Sequence, residues 1–480
     1  MNVIVGIVEF IVNEILSKPF YLVGLMTAVG LIALKKSLGD VIGGTLKATM
    51  GFLILVVGAV TVINALDPLG KLILSVTGAQ GVVPTNEAIV AIAAEKYGAV
   101  VAWLMATGFI MNLVIAKTIK LHYVFLTGHH IFFMATMLAV ILQTDAVGMT
   151  ATQAVIVGAI LLGTIMVVMP AFAQPWMKKV TGGQAFAMGH FGSLGYITAG
   201  LIGQAVGKGS KSTEEMNLPK SLRFMREPMV ATAVSMLVIY LGFAIVYLFQ
   251  VGVEQATSVI GGTNASSYLM ANVLLALNFG VGVAVILYGV RTILAEIVPA
   301  FAGISERVIP GALPALDCPV AFPFAPNAVL VGFLASVVGG LLSLGLISIW
   351  LGSALGLALI LPGMVPHFFT GGTAGVFGNS TGGRLGAILG GMANGVLITF
   401  LPAFLLFVMG SLGFANTTFG DADFGWFGIV VGNVAKLGPI AGTVGLGIVV
   451  ALLLWFARKF QERYVDSDWV PGGVDEEQAA

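Results

Sequence analysis

A proline-rich stretch between two long apolar segments restricts how this chain can fold. Residues Ile309 to Asn327 read IPGALPALDCPVAFPFAPN and hold five of the eighteen prolines, so no regular helix runs through them. The flanking segments, 267–300 and 328–350, are each long enough to span a bilayer. Broken backbone at membrane depth is tolerated where protein or a wet cavity surrounds it. Because Asp317 lies at the centre of this stretch, the pattern predicts a transporter site built on broken helices.

The composition indicates an integral membrane protein. Hydrophobic residues make up 58% of the 480 residues and charged residues 9%, whereas about a quarter of the residues in a soluble domain are charged. The formal net charge of zero argues against a nucleic-acid partner, because phosphate binding requires a basic face. The single cysteine, Cys318, excludes an internal disulfide and a multi-cysteine metal site, and we predict no cofactor.

Apolar windows predict an all-α polytopic membrane protein with about 11 transmembrane helices and membrane lipid around them. Basic loops mark the cytoplasmic side, which places the N-terminus outside and the C-terminus inside. Residues 1–18 are predicted to form an amphipathic or interfacial helix. The predicted spans are 20–34, 41–66, 100–116, 123–142, 152–171, 229–251, 267–300, 328–350, 355–369, 386–412 and 424–456.

A polar loop divides the chain near its middle. This loop, 208–228, is predicted to be cytoplasmic and separates an N-terminal membrane half, 1–207, from a C-terminal membrane half, 229–460. Residues 461–480 are predicted to form a cytoplasmic tail. The moderately apolar run 185–206 has basic residues on both sides, so it is predicted to dip into the membrane or lie flat on it.

Each half is predicted to contain one re-entrant hairpin. The hairpin near 81–98 is predicted to enter from outside and the hairpin near 305–327 from inside. A weak similarity between residues 66–88 and 297–319 supports an inverted repeat. Hairpin tips of inverted repeats meet near the midplane of many transporters, so we expect the two tips to share one site.

Three polar groups near the predicted tips are candidate ligands of a substrate. Asp317 is the strongest candidate. A carboxylate at membrane depth has a high energetic cost, so its presence there indicates a function. Its alternative role is to cap the helix that follows. Asn86 and Glu87 lie at the first tip, and their alternative role is the N-cap and first turn of a helix.

The histidines are the next candidates, because imidazole both donates and accepts hydrogen bonds. We favour a ligand role for His129 and His190 over an interfacial one, and give His130 less weight. Arg291 and Glu296 are five residues apart on one predicted helix, which does not bring them face to face. A structural role at the cytoplasmic end of that helix is expected for both.

Several motifs together resemble one transporter family. The stretches LTGHH at 126–130, FAMGH at 186–190, RVIPGALPALDC at 307–318 and FAPNAV at 324–329 occur in this order. They resemble the membrane-embedded IIC component of ascorbate-type permeases of the bacterial phosphoenolpyruvate-dependent sugar phosphotransferase system (PTS).

This resemblance implies a homodimer in the bacterial cell (inner) membrane, with a scaffold domain and a core domain that moves like an elevator. It implies transport of ascorbate or a related sugar acid or polyol. The chain itself would not be an enzyme, because a separate cytoplasmic IIB protein donates the phosphate from a phosphocysteine. The loop 208–228, with Lys220 and Arg223, is expected to help dock that partner.

The resemblance also implies substrate contacts at Asn86, Glu87, His129, His190 and Asp317. The sequence departs from the family pattern at two further substrate positions, where Phe133 and Phe191 replace glutamines, and Asn86-Glu87 replaces Thr-Tyr. Rings in place of amides weaken hydrogen bonding to a polyhydroxylated lactone, which leaves the exact substrate open. The alternative function is an ion-coupled secondary transporter that uses Asp317 and the histidines as a proton relay. A membrane-embedded enzyme is disfavoured, because no nucleophile or metal-ligand set accompanies the carboxylates.

Overall fold

Helices form most of the protein. The computed structural model describes residues 18–183, 186–207, 209–216, 228–410, 412, 416–467 and 469–473. The helices are α1 Pro19–Ala33, α2 Leu38–Thr77, α3 Asn86–Thr118, α4 Gly128–Leu142, α5 Ala151–Thr181, α6 Ser193–Val206, α7 Pro228–Ile260, α8 Ala265–Val308, α9 Pro326–Leu346, α10 Gly352–Leu355, α11 Met364–Pro366, α12 Gly372–Leu405, α13 Ala422–Ala435 and α14 Pro439–Phe460. Two π-helical turns, Ile347–Leu351 and His367–Gly371, join α9 to α10 and α11 to α12.

The described helices confirm a polytopic all-α membrane protein. Eight segments are long and apolar enough to cross a bilayer: Leu38–Thr77, Asn86–Thr118, Ala151–Thr181, Thr232–Ile260, Ala265–Glu296, Pro326–Leu355, Met364–Val408 and Ile440–Val465. Four shorter apolar helices accompany them, at Val23–Ala33, Gly128–Leu142, Ser193–Val206 and Ala422–Ala435. The predicted total of eleven spans stays a prediction. The helix predicted for residues 1–18 lies almost wholly outside the described residues.

Several predicted boundaries differ from the observed ones. The helix that begins at Asn86 continues past Gly98 to Thr118, because one glycine inside a helix costs only about 1 kcal/mol and does not end it. The predicted span 424–456 is two helices, since Gly438 has a left-handed φ of 105° and Pro439 starts α14. The predicted span 355–369 is interrupted by a short strand before α11.

The proline-rich stretch has the predicted broken backbone. Helix α8 ends at Val308, a strand follows at Leu313–Leu316, and a 3-10 helix occupies Cys318–Phe324 before α9 begins at Pro326. Prolines without N–H groups prevent a continuous helix here. Asp317 therefore lies between a strand and a 3-10 helix, at the point where the backbone changes direction.

Within the described residues, six short strands form two parallel sheets. They are β1 Gly81–Pro84, β2 Tyr123–Phe125, β3 Ala187–Met188, β4 Leu313–Leu316, β5 Leu359–Ile360 and β6 Thr417–Thr418. One sheet has the order β5-β1-β6 and the other β2-β4-β3. Gly81 pairs with Leu359 and Val83 with Thr417, while Tyr123 pairs with Leu313 and Ala187 with Ala315. Adding three to the numbers of β1, β2 and β3 in the first half gives β4, β5 and β6 in the second, so the two sheets are equivalent. Each half of the chain places its first strand between the two later strands of the other half.

Hydrogen bonds attach residues 212–214, in the segment between the two halves, to helices α9 and α12 of the second half. Glu214 accepts hydrogen bonds from the N–H groups of Asn327 and Ala328 at the start of α9, at 3.0 and 3.1 Å from Oε1. The Nε of Arg384 donates to Ser212 O at 3.2 Å. Lys220 and Arg223, which were predicted to dock a partner, lie outside the described residues.

Helices α9 and α12 pack backbone to backbone through glycines. A Cβ atom on Gly391 would lie 2.7 Å from Gly332 O and 3.0 Å from Gly332 Cα. Both distances are shorter than normal van der Waals contacts, so neither helix has room for a side chain at this crossing. Small residues commonly allow such close approach in membrane helices.

We expect Gly391→Ala to destabilise the protein by about 1–3 kcal/mol, because the new methyl group pushes α9 and α12 apart. Thermal unfolding in detergent measures the change. The matched control is Gly447→Ala on the exposed α14, where a Cβ would meet nothing within 4 Å. Equal melting temperatures for the two variants would contradict the close packing.

Candidate functional site

A cavity of about 210 Å³ lies where both sheets end. Because parallel strands point the same way, the residues that follow them meet at one edge of each sheet. Most of the cavity wall follows this rule: Asn86 and Glu87 come after β1, His129 and His130 after β2, His190 after β3, Asp317 after β4, Val365 and Pro366 after β5, and Asp421 after β6. The remaining wall comes from Phe133 on α4, Phe369, and Leu287, Val290, Arg291 and Leu294 on α8. Both halves of the chain therefore contribute to one polar cavity.

Asp317 lies between two histidines from the first half. Its Oδ2 is 3.3 Å from His129 Nε2, and its Oδ1 is 3.9 Å from His190 Nε2. Oδ1 also accepts the N–H of Cys318 at 2.7 Å. Asp317 thus caps the 3-10 helix, as its alternative role required, and its side chain still lines the cavity, about one-third exposed.

Backbone N–H groups fix the tautomers of two histidines. Phe191 N–H donates to Nδ1 of His130 at 3.3 Å, and Gly192 N–H donates to Nδ1 of His190 at 3.1 Å. The hydroxyl of Tyr196 lies 2.7 Å from the same His190 nitrogen. A nitrogen that accepts a hydrogen bond carries no proton, so each neutral ring bears its proton on Nε2. Both Nε2 atoms are therefore hydrogen-bond donors.

These tautomers decide what the cluster can bind. Three groups of side chains have ligand atoms within 4.8 Å of one another, namely His129, His130 and Asp317; His130, His190 and Asp421; and His190, Asp317 and Cys318. Every group needs His130 or His190. A ligating histidine offers the lone pair of one ring nitrogen to the metal and donates the N–H of the other nitrogen to a protein partner. In His130 and His190, Nδ1 instead accepts a backbone N–H, and the proton is on Nε2. The cluster suits hydroxyl and carboxylate groups better than a metal ion.

Asn86 and Glu87 have different roles. The Asn86 side chain donates to Asp421 Oδ2 at 2.9 Å and accepts the N–H of Gly420 at 2.8 Å. It therefore joins the segment after β1 to the segment after β6 and is not the N-cap, which is Thr85. Glu87 is 7% exposed, and its Oε2 has no hydrogen-bond partner within the described structure. Glu87 lines the cavity, and this buried oxygen lacks a hydrogen-bond donor among the described residues.

The two phenylalanines at substrate positions lie in different places. Phe133 is part of the cavity wall, 5.7 Å between ring centroids from His129. Phe191 is fully buried behind that wall, where its ring stacks on Phe125 with centroids 4.8 Å apart. Its backbone N–H, not its ring, serves the site by orienting His130.

Sequence reasoning missed Asp421 and misjudged Arg291. Asp421 follows β6 much as His190 follows β3, so the internal repeat was the signal that could have located it. Arg291 lines the cavity instead of serving only the helix end, whereas Glu296 does have a structural role, in an ion pair with Lys47 at 3.0 Å. His130, which received less weight, also lines the cavity.

Asp423 holds the histidine turn in place. It is fully buried, and its carboxylate accepts the N–H groups of Ser193 and Leu194 at 2.8 and 3.0 Å. It also accepts Nε1–H of Trp426 at 3.0 Å. Its own N–H donates to Phe191 O at 2.9 Å. Asp423 therefore fixes the start of α6, which positions the residues from His190 to Ser193.

Comparison with known proteins identifies the family. The profile of the EIIC-GAT family, described as "PTS system sugar-specific permease component", matches residues 14–423. The chain belongs to this permease family. The "Ascorbate-specific PTS system EIIC component" of Mycoplasma pneumoniae is 26% identical over 421 residues, which cover 78% of this chain and 63% of that protein. The permease therefore spans less than two thirds of the length of that relative.

Membership agrees with the predicted resemblance and with the apolar helices. Membership of a permease family and the eight apolar helices together indicate a multi-pass membrane protein. The cavity that joins the two halves is the candidate place for a ligand.

Proposed function

We propose that the permease carries ascorbate or a related sugar acid or polyol inward, and that a separate IIB protein phosphorylates the substrate as it is released. The cavity supports this proposal. At about 210 Å³ it is smaller than the cavities that hold drug-sized molecules, which fits a substrate the size of a monosaccharide. The similarity to an ascorbate-specific relative agrees with that substrate class.

The polar groups of the cavity support a polyhydroxylated ligand. His130 and His190 offer Nε2–H donors, while Asp317 and the unpartnered oxygen of Glu87 offer acceptors. Substrate hydroxyls donate and accept, so they satisfy both kinds of group. Phe133 offers an apolar face to the carbon skeleton. In this proposal Asn86 acts through Asp421, and Phe191 acts by positioning His130.

The proposed architecture has eleven spans, with re-entrant segments near 81–98 and 305–327 in inverted halves 1–207 and 229–460. The exchange of first strands between the two sheets supports such a repeat. The N-terminus is outside, and the C-terminus and the tail 461–480 are cytoplasmic. We propose a homodimer in the bacterial cell membrane in which the core carries the substrate by an elevator-like movement.

Uptake into sealed membrane vesicles tests the coupling. We expect phosphorylated IIB protein, supplied on the cytoplasmic side, to produce accumulation of phosphorylated ascorbate, gluconate or xylitol. A proton gradient alone should give no accumulation, because in this proposal phosphorylation of the substrate by the IIB protein drives accumulation. Vesicles without the permease are the control.

The alternative is an ion-coupled transporter, in which the His129–Asp317 pair at 3.3 Å relays protons. Accumulation of unmodified substrate that a proton gradient drives without any IIB protein would favour this alternative. Loss of accumulation when a protonophore is added in the presence of IIB protein would also favour the ion-coupled transporter.

A further inference from the structure

Arg291 differs from the other polar residues of the cavity in its place in the fold. It lies on α8, a long helix that packs mainly against α2 and α7 and also contacts α1, α3 and α4. The other charged, imidazole and amide side chains of the wall follow the ends of strands. Arg291 also brings the one permanent positive charge of the cavity wall in the described structure. Arg291 is exposed and lies near the end of the candidate membrane-spanning segment Ala265–Glu296.

Arg291 has no partner of opposite charge in the described ranges. No ion pair forms within 4.0 Å of its guanidinium, although Glu87, Asp317 and Asp421 line the same cavity. Asp317 lies beside His129, and Asp421 accepts a hydrogen bond from Asn86. A charged side chain at membrane depth is costly and normally pairs with another charge or faces a functional cavity. The unpaired guanidinium therefore points to an anion that arrives with the substrate.

Two further features suit an acidic ligand that also carries hydroxyls. Helices α3 and α13 begin at or directly after the cavity-lining residues Asn86 and Asp421, and the positive ends of helix dipoles favour anions. The buried, unpartnered Oε2 of Glu87 requires a hydrogen-bond donor, which a substrate hydroxyl supplies. An acid with several hydroxyls satisfies both Arg291 and Glu87, whereas a neutral polyol leaves the guanidinium unpaired.

We propose that Arg291 binds the acidic group of the substrate and makes the permease select sugar acids over neutral polyols of similar size. Guanidinium suits this role because its planar fork binds carboxylate oxygens in a bidentate way. This inference rests on the proposed function.

Equilibrium binding to the purified full-length permease tests the proposal. Ascorbate and gluconate serve as acidic probes, and xylitol serves as the neutral probe. We expect the wild type to prefer the acids, and Arg291→Gln to weaken acid binding about tenfold or more while xylitol binding changes less than about twofold. Arg291→Lys should recover part of the acid affinity. The matched control is Arg307→Gln, an exposed arginine on the same helix outside the cavity wall, which should leave both affinities unchanged.

The outcomes separate this proposal from the proposed function. If the wild type binds neither acids nor polyols, the proposed function is wrong and this inference fails with it. If the wild type binds the probes and Arg291→Gln alters neither affinity, or lowers both equally, only the role of Arg291 is refuted. Melting temperatures of all variants identify any loss of binding that comes from unfolding.

Discussion

Replacing Asp317 with asparagine is expected to weaken substrate binding by about 10- to 100-fold while the protein stays folded. The carboxylate lies beside His129 and near His190, and hydrogen bonds to a charged group contribute about 1.5–3 kcal/mol each. The amide keeps the size of the side chain but loses the charge and one acceptor. Titration calorimetry in detergent with ascorbate, gluconate and xylitol measures the affinities.

The control for this variant is Asp67→Asn, whose carboxylate is exposed and paired with Lys71 at 2.7 Å. Exposed pairs contribute little, so this change should alter neither binding nor stability. Unchanged affinity in Asp317→Asn would move the substrate site away from this cavity. A large fall in its melting temperature would instead show that the negative charge mainly stabilises the fold, because asparagine can still cap the 3-10 helix.

Replacing Asp423 with alanine is expected to lower the free energy of unfolding by at least about 3 kcal/mol. The change leaves a buried N–H donor on Ser193 and partly buried donors on Leu194 and Trp426 without an acceptor, and the loss of an acceptor for a buried donor costs about 1–3 kcal/mol. Thermal unfolding in detergent measures the effect. Substrate affinity of the folded fraction should also fall, because the turn that carries His190 loses its support.

Two further variants serve as comparisons for Asp423→Ala. Asp423→Asn keeps one acceptor oxygen and should retain part of the stability, whereas Asp40→Ala, at the exposed start of α2, should have a small effect. A stable Asp423→Ala protein with normal affinity would show that the turn is held by other contacts.

The parts of the fold that depend on local chemistry were predictable from the sequence. Proline lacks an N–H wherever it occurs, so the broken backbone around Asp317 could be predicted without any partner. The long apolar helices follow from composition alone. The end of α3 was harder to place, because Gly98 is a weak signal that the rest of the helix overrides.

The complete site could not be predicted from local pattern. Strands β3, β5 and β6 have two residues each, too few to show any alternation of polar and apolar side chains. What places Asp421 beside Asn86 is pairing between segments 335 residues apart in the chain. Arg291 was expected to serve the helix end because Glu296, five residues later, does not face it. The packing of α8 against α3 and α4 brings Arg291 to the cavity.

The exchange of first strands has a consequence for biosynthesis. Val83 in β1 accepts a hydrogen bond from Thr417, which lies 334 residues later. At about 5–20 residues per second, the ribosome needs roughly 20–70 s to make that interval. Until residue 417 is made, β1 lacks its partner β6, although β5 at 359–360 is made earlier. The transport site is therefore completed only near the end of translation, and a nascent chain that stalls before residue 417 has no finished site.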